Sequence, residues 1–175
     1  MKSLIEKEVR QNRSIIIGIL VVSLSGWVGA KDPGPDNPAI KIVAGGKAWS
    51  TTKLELAQQL TPAEITVYSP VYQRPMTYDG FWLDEILAAY HIHPTDQDII
   101  FECADNYGTS MPAKYMGHHD WLVAFGEPKG WTPLPERHHV TFPGPWYVVG
   151  REPSSYQETP WPYQVEAIKI QGEEF

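Results

Sequence analysis

Apolar residues recur at helical spacing in two segments of the chain, residues 81–90 and residues 52–60. The first predicts a short amphipathic helix. Gly80 precedes this segment, and Pro94 lies four residues beyond its end, where a helix does not continue easily. Its apolar positions are Phe81, Leu83, Ile86, Leu87 and Tyr90. The second predicts a less regular helix, with Ser50 or Thr51 as its N-terminal cap.

Short runs rich in β-branched and apolar residues predict the strands. They cover residues 40–43, 64–69, 98–103, 121–125, 140–142, 146–149 and 163–170. Turn-forming residues separate them, notably in residues 69–75 and 105–108, which we predict as loops. Many strands with two short helices indicate an α+β domain, built on a mixed β-sheet with short peripheral helices.

The first thirty residues have the pattern of a targeting segment. Four basic side chains precede an apolar run, which tails into small residues where a signal peptidase cuts. We interpret residues 1–30 as a cleavable export signal, with an uncleaved membrane anchor as the alternative. In both cases the domain lies outside the cytoplasm. Residues 31–38 form a polar, proline-rich linker, and residues 39–175 form a single domain.

The chain of 175 residues is acidic, with a formal net charge of −7. The first thirty residues contribute +2, from four basic and two acidic side chains, which leaves −9 for the rest. Such a domain repels nucleic acid and suits a basic soluble partner, such as a cationic electron carrier. The single cysteine, Cys103, excludes an internal disulfide, a paired-cysteine metal site and a c-type haem attachment. Its apolar surroundings predict a small buried side chain.

Three groups of residues carry a family resemblance. Residues 79–87 read Asp-Gly-Phe-x-Leu-x-x-Ile-Leu, and residues 105–112 read Asp-Asn-Tyr-Gly-Thr-Ser-Met-Pro, after an intervening strand. Residues 141–147 form an apolar segment around Pro-Gly-Pro. Together with the final strand, this pattern resembles the molybdopterin-binding domain of sulfite-oxidase-type oxidoreductases over roughly residues 40–170. The resemblance implies a mixed sheet with peripheral helices.

The resemblance also implies where a cofactor would bind. In that family a cysteine thiolate binds molybdenum from the loop before the central helix, and basic residues hold the cofactor phosphate. Here that loop has no cysteine, because Ser69 or a near neighbour stands in its place, and Arg74 is one of few basic candidates. The cofactor-binding candidates are Ser69, Arg74, Cys103, Tyr107 and Ser110.

Two hypotheses follow from the missing ligand. The first is a cofactor-free relative that acts as an accessory or binding subunit of a periplasmic redox system, beside a redox protein or c-type cytochrome. The alternative is an active molybdopterin-dependent oxidoreductase whose thiolate comes from Cys103. We favour the first, because a ligand at the wrong position does not reproduce the geometry of a metal site.

Histidine pairs suggest a different site. His118-His119 and His138-His139 lie in predicted loops and are candidate metal ligands. Neighbouring side chains on extended backbone point in different directions, so each pair is expected to supply at most one ligand easily. Asp84 and Glu85 are expected to form the solvated face of the central helix. Neither a serine-hydrolase elbow nor a zinc-protease motif occurs in the sequence.

Aromatic residues are concentrated late in the chain, among prolines. They are Trp131, Trp146, Tyr147, Tyr156, Trp161 and Tyr163. Rigid aromatic side chains with few polar neighbours suit a protein or cofactor interface. An aromatic core with proline stacking explains the same pattern equally well.

Overall fold

Nine strands divide between two sheets in the computed structural model, which describes residues 34, 36–135, 141–152 and 154–171. The first sheet has five strands in the order β2-β1-β9-β5-β6. These are β1 (Ala39–Ala44), β2 (Lys47–Thr52), β5 (Asp98–Cys103), β6 (Gly108–Pro112) and β9 (Val165–Gln171). The second has the order β3-β4-β7-β8, with β3 (Ala63–Ser69), β4 (Arg74–Trp82), β7 (Trp121–Gly126) and β8 (Tyr147–Gly150).

The five-stranded sheet is mixed, and the four-stranded sheet is antiparallel throughout. In the first, β9 runs parallel to β1, with Ile42 opposite Ile168, and antiparallel to β5. All pairs of the second are antiparallel. The predicted α+β class with a mixed sheet and short helices is therefore found, but the strands form two sheets. A single bridge between Tyr147 and Tyr163 links the start of β8 to the segment that leads into β9.

Three short α-helices connect the strands: α1 (Lys53–Gln59), α2 (Leu83–Ala89) and α3 (Ser155–Glu158). The structure corrects the start of the central helix, because Phe81 and Trp82 pair with β7 as the end of β4. From Leu83 onwards the predicted apolar face is buried, including Ile86 and Leu87. A 3-10 turn covers Ala113–Tyr115. Among the described residues, no helix is long and apolar enough to cross a membrane.

The cap of α1 is Thr52 rather than Ser50 or Thr51, both of which lie in β2. The hydroxyl of Thr52 accepts from the Glu55 backbone N–H at 3.3 Å, and the Glu55 carboxylate accepts from the Thr52 N–H at 2.8 Å. This reciprocal pair satisfies two backbone donors at the helix start. The helix therefore begins one residue later than predicted.

The core lies between the sheets and under α1 and α2. Alternate residues of β1 and β5 face it, whereas β7 is buried on both faces from Trp121 to Ala124. The largest fully buried side chains are Trp146, Tyr78, Tyr147, Phe81 and Phe101. The aromatic residues of the late segment thus divide. Trp146 belongs to the core, Tyr147 and Trp161 belong to the core and also line a cavity, and Tyr163 lines the same cavity.

The structure describes only part of the predicted N-terminal segments and of one predicted strand. Residues 1–30, interpreted as an export signal or anchor, and the start of the linker lie outside the described residues. β1 begins at Ala39, but Asn37 and Pro38 of the predicted linker are buried, and the Asn37 side chain accepts from the Leu54 backbone N–H at 3.0 Å. The predicted strand over residues 140–142 is not found at residues 141 and 142, while Val140 lies outside the described residues.

Candidate functional site

A cavity of about 390 Å³ opens where several loops meet beside β8. Aromatic and proline side chains form most of its lining. The lining residues are Val71, Asp105, Tyr107, Leu134, Pro135, Tyr147, Pro160, Trp161 and Tyr163. We call this the aromatic cavity. It brings together the loop after β3 and the turn after β5, the two segments that the family resemblance singled out for cofactor binding.

The turn after β5 is closed by its own polar groups. The Asp105 carboxylate accepts from the Tyr107 backbone N–H at 3.0 Å, and Asn106 takes a positive φ of 61°. Asparagine tolerates this conformation better than most residues. The Tyr163 hydroxyl donates to the second oxygen of Asp105 at 3.4 Å. Asp105 therefore joins the turn to the segment before β9 and fixes the Tyr163 ring of the cavity.

The opposite wall is built from the loop after β3. Ser69 is fully buried, and its hydroxyl accepts from the Tyr72 backbone N–H at 3.3 Å. The Tyr72 hydroxyl donates to the Thr132 carbonyl at 2.7 Å. Burial raises the pKa values of Tyr72 and Tyr78 above the ordinary tyrosine value, so both phenols stay neutral. Tyr78 contacts Tyr147 edge to face at 5.7 Å between ring centroids, which connects this wall to the cavity.

Of the five cofactor-binding candidates, Tyr107 is the one that lines the aromatic cavity. Ser69 lies at the buried end of β3, and Arg74 is exposed at the start of β4. Ser110 is exposed on β6. Cys103 packs in the hydrophobic core at the end of β5. The residues that sequence reasoning did not connect with the cofactor loops are Leu134, Pro135 and Pro160, which lie in predicted turns and carry no signal of their own.

The described lining does not fit a molybdopterin. Among the lining residues that the structure describes there is no cysteine and no Lys, Arg or His, and Asp105 is the one charged side chain. A cofactor phosphate needs cationic or backbone N–H partners, and molybdenum of this family needs a thiolate. A carboxylate at the mouth of the cavity repels the phosphate instead. The aromatic lining suits an apolar or cationic group.

Cys103 is poorly suited to act as a thiolate. Burial, with smaller contributions from the nearby carboxylates of Asp105 and Glu166, raises the pKa of its thiol to about 11. At neutral pH the group is a neutral thiol. As pH rises, the unfolded chain loses this proton first, so the stability that the neutral thiol contributes is present below about pH 8.5 and is lost towards about pH 11.

We expect Cys103 to react slowly with a thiol reagent such as iodoacetamide while the protein is folded. At pH 8 its thiolate fraction is about one in a thousand, compared with about one in four for an ordinary thiol. The reaction should be about 100-fold slower or more than in the urea-unfolded chain, and it should accelerate about tenfold per pH unit up to pH 10. Equal rates in folded and unfolded protein would contradict the buried position.

A second group of polar side chains meets at the start of α2. His118 Nδ1 lies 2.8 Å from Asp84 Oδ2, and His119 Nε2 lies 2.9 Å from Glu85 Oε1. The His119 backbone N–H donates to Asp84 Oδ1 at 3.4 Å. We call these four residues the histidine–carboxylate cluster. Asp84 and Glu85 therefore contact a loop from across the sequence, where a purely solvated face was expected.

The two histidine rings lie side by side instead of diverging. Their centroids are 3.8 Å apart, and Trp82 stacks on His119 at 4.8 Å with an interplanar angle of 12°. His119 takes a positive φ of 58°, which turns the backbone and brings its ring beside that of His118. The pair therefore offers two ligands where one was expected. His138 and His139, the other predicted pair, lie outside the described residues.

A groove of about 820 Å³, larger than the aromatic cavity, runs along the edge of β2 and the end of α2. Trp49 and Tyr90 contact each other in its wall, with ring centroids 5.6 Å apart. His91 and His93 also line it. None of the five cofactor-binding candidates lines it, and neither does His118 or His119.

Comparison with protein-family models finds no match, and comparison with curated proteins finds none either. Among solved structures, the fold is similar to the crystal structure of the sulfane dehydrogenase SoxCD from Paracoccus pantotrophus, with a TM-score of 0.54 and 19% sequence identity. The match covers 83% of this chain and 41% of the other, so this chain spans less than half of that protein's chain. At this identity the similarity concerns the fold.

Proposed function

We propose that this chain is a cofactor-free binding component of an exported electron-transfer system. The aromatic cavity is its binding site and takes an apolar or cationic group from a redox partner. The observation that carries the proposal is the lining of this cavity. It is lined by Tyr107, one of the five cofactor-binding candidates, and by Val71 of the loop in which the resemblance expects the metal ligand, yet its described side chains are aromatic, proline and aliphatic, with Asp105 as their one charge.

Two further observations support the proposal. The similar solved structure is a dehydrogenase by its name, which agrees with a redox setting for this fold. The chain is acidic, with a net charge of −7, and acidic proteins associate readily with basic electron carriers such as c-type cytochromes. Cys103, which the alternative of an active molybdenum enzyme requires as a ligand, is buried in the core as a neutral thiol.

The first test is chemical analysis of the full chain purified from its own exported fraction. We expect neither molybdenum nor pterin in stoichiometric amount. Stoichiometric molybdenum with pterin would overturn the proposal in favour of the enzyme. In that case Cys103→Ser is the variant that decides whether this thiol is the ligand.

The second test measures binding of a cationic c-type cytochrome by titration calorimetry at low and high salt. We expect 1:1 binding that weakens with salt, and an affinity about tenfold or more lower for Tyr107→Ala, which removes an aromatic ring from the cavity. Tyr68→Ala is the matched control, because Tyr68 is a similarly exposed tyrosine outside the cavity lining. Equal affinities for the two variants, or an absence of binding, would overturn this role of the cavity.

A further inference from the structure

We propose that the histidine–carboxylate cluster is a binding site for a divalent transition-metal ion of the Zn²⁺ type. Asp84, His118 and His119 supply the ligands, and Glu85 positions the ring of His119. This cluster shares no residue with the aromatic cavity, so the inference stands independently of the function proposed above.

The ligand chemistry matches such an ion. Two imidazoles and one carboxylate form a mixed nitrogen and oxygen set, which zinc and its neighbours in the first transition row bind in proteins. One ligand atom from each of Asp84, His118 and His119 lies within 4.8 Å of the others. In a tetrahedral zinc site with bonds of about 2.0–2.1 Å, ligand atoms stand about 3.4 Å apart. The most widely separated pair of ligand atoms therefore needs to close by at most about 1.4 Å to hold the ion.

The outer histidine is the ligand with the most freedom to adjust to the ion. The His118 side chain is 80% exposed, so its ring can turn without disturbing the core. The Asp84 and His119 side chains are 17% and 30% exposed and are more firmly held. One wall of the site is thus fixed, and the other is free to adjust to the ion.

The His119 ring, the inner part of the cluster, is held by Trp82, by Glu85 and by the loop that carries it. Trp82 stacks on the His119 ring, and Glu85 contacts its Nε2. A carboxylate on one nitrogen of a ligating histidine fixes the ring and makes it a better ligand. The Asp120 carboxylate packs against Gly117, where an added Cβ would lie 1.7 Å from Oδ2, and Gly117 itself has a φ of +53°. This tight loop presents both histidines to α2.

Backbone conformation brings the two histidine rings together. His119 has a φ of 58°, which is uncommon for a residue other than glycine. Without this turn, neighbouring side chains would diverge. The exposed His118 leaves the outer positions of the ion open to water or to a ligand group from another molecule.

The test is a Zn²⁺ titration of the full chain by calorimetry, with Co²⁺ as an optical probe of coordination. We expect one ion per chain and a Co²⁺ spectrum typical of nitrogen and oxygen ligands. Asp84→Asn and His118→Ala should each weaken Zn²⁺ binding by about 100-fold or more, and Glu85→Gln by about 10-fold to 100-fold. The matched control is His93→Ala, another exposed histidine, which should bind as the unaltered chain does.

His118→Ala keeps this test decisive, because an 80% exposed side chain is removed without loss of core packing. Circular dichroism of the metal-free variants checks that they are folded. The proposal is overturned if the chain does not bind Zn²⁺ at a 1:1 ratio. It is equally overturned if Asp84→Asn and His118→Ala bind as tightly as His93→Ala, which would place any bound ion elsewhere.

Discussion

Replacing Trp146 with alanine is expected to lower the free energy of unfolding by about 3–5 kcal/mol, the range for removing a tryptophan from a core. Trp146 is fully buried and contacts Phe125 edge to face, with ring centroids 6.3 Å apart. Its indole N–H donates to the Ala39 carbonyl at 3.0 Å. Ala39 starts a strand of the five-stranded sheet, whereas Trp146 directly precedes β8 of the other sheet. The variant thus removes both volume and a hydrogen bond between the sheets.

Urea unfolding followed by far-ultraviolet circular dichroism measures this effect, and the melting temperature should fall by about 10 °C or more. Trp146→Phe keeps most of the ring and loses the N–H, so it should cost only about 1–2 kcal/mol. Trp49→Ala is the matched control, because Trp49 is half-buried on the edge strand β2. A loss no larger for Trp146→Ala than for Trp49→Ala would show that this residue does not join the sheets.

Gly80→Ala is the second substitution for which we expect a large effect, although it adds only one methyl group. A Cβ at this buried position would lie 2.6 Å from the Val123 carbonyl oxygen and 2.8 Å from the Ala124 Cα, both backbone atoms of β7. Backbone atoms in a paired strand cannot move aside as a side chain can. The register between β4 and β7 shifts between Asp79 and Gly80, and glycine is often found at such an irregularity because it permits close approach of another backbone.

We expect Gly80→Ala to destabilise the domain by about 1–3 kcal/mol or more, measured by the same urea unfolding. Gly126→Ala is the control, since nothing lies within 4 Å of an added Cβ there, and its effect should stay within about 0.5 kcal/mol. Similar stabilities of the two variants would mean that β4 and β7 separate easily at this point. Gly80, which the sequence places in front of a helix, would then have no packing role.

The strands that sequence reasoning predicted are mostly those that face the core on alternate residues. β5 is found with the predicted bounds, Asp98–Cys103, because its buried and exposed residues alternate. β2 and β6 escaped prediction, since both are edge strands of the five-stranded sheet and are mostly exposed. An edge strand needs no apolar face and tolerates Pro112 at its end. The sequence of such a strand is therefore typical of a turn.

β4 escaped prediction for a different reason. Pro75, Asp79 and Gly80 are typical of turns, yet all three lie inside this nine-residue strand. Pro75 is accommodated near the hairpin end, opposite Tyr68, and Gly80 permits the close contact with β7. Both explanations depend on the neighbouring strand, which a local pattern does not contain.

The candidate sites show the same division. The sequence identified His118 and His119 as a possible metal pair and the loops around residues 69 and 107 as a possible binding site. The structure adds the residues that lie next to each of them. The sequence alone did not connect Asp84 with the histidines, because that contact joins residues 34 positions apart. The positive φ of His119 is equally invisible in a sequence, since this conformation is uncommon for residues other than glycine.

The position of β9 has a consequence for the order in which this protein folds. Residues 165–171 lie between β1 and β5, and the register sets Lys41 beside Ala167. Until these residues leave the ribosome, the hairpins β1–β2 and β5–β6 each keep an unpaired inner edge and cannot form one sheet. Long-range pairing of this kind slows folding. The five-stranded sheet is consequently completed only after β9 has been synthesised, whereas the hairpins on either side of it consist of segments that emerge earlier.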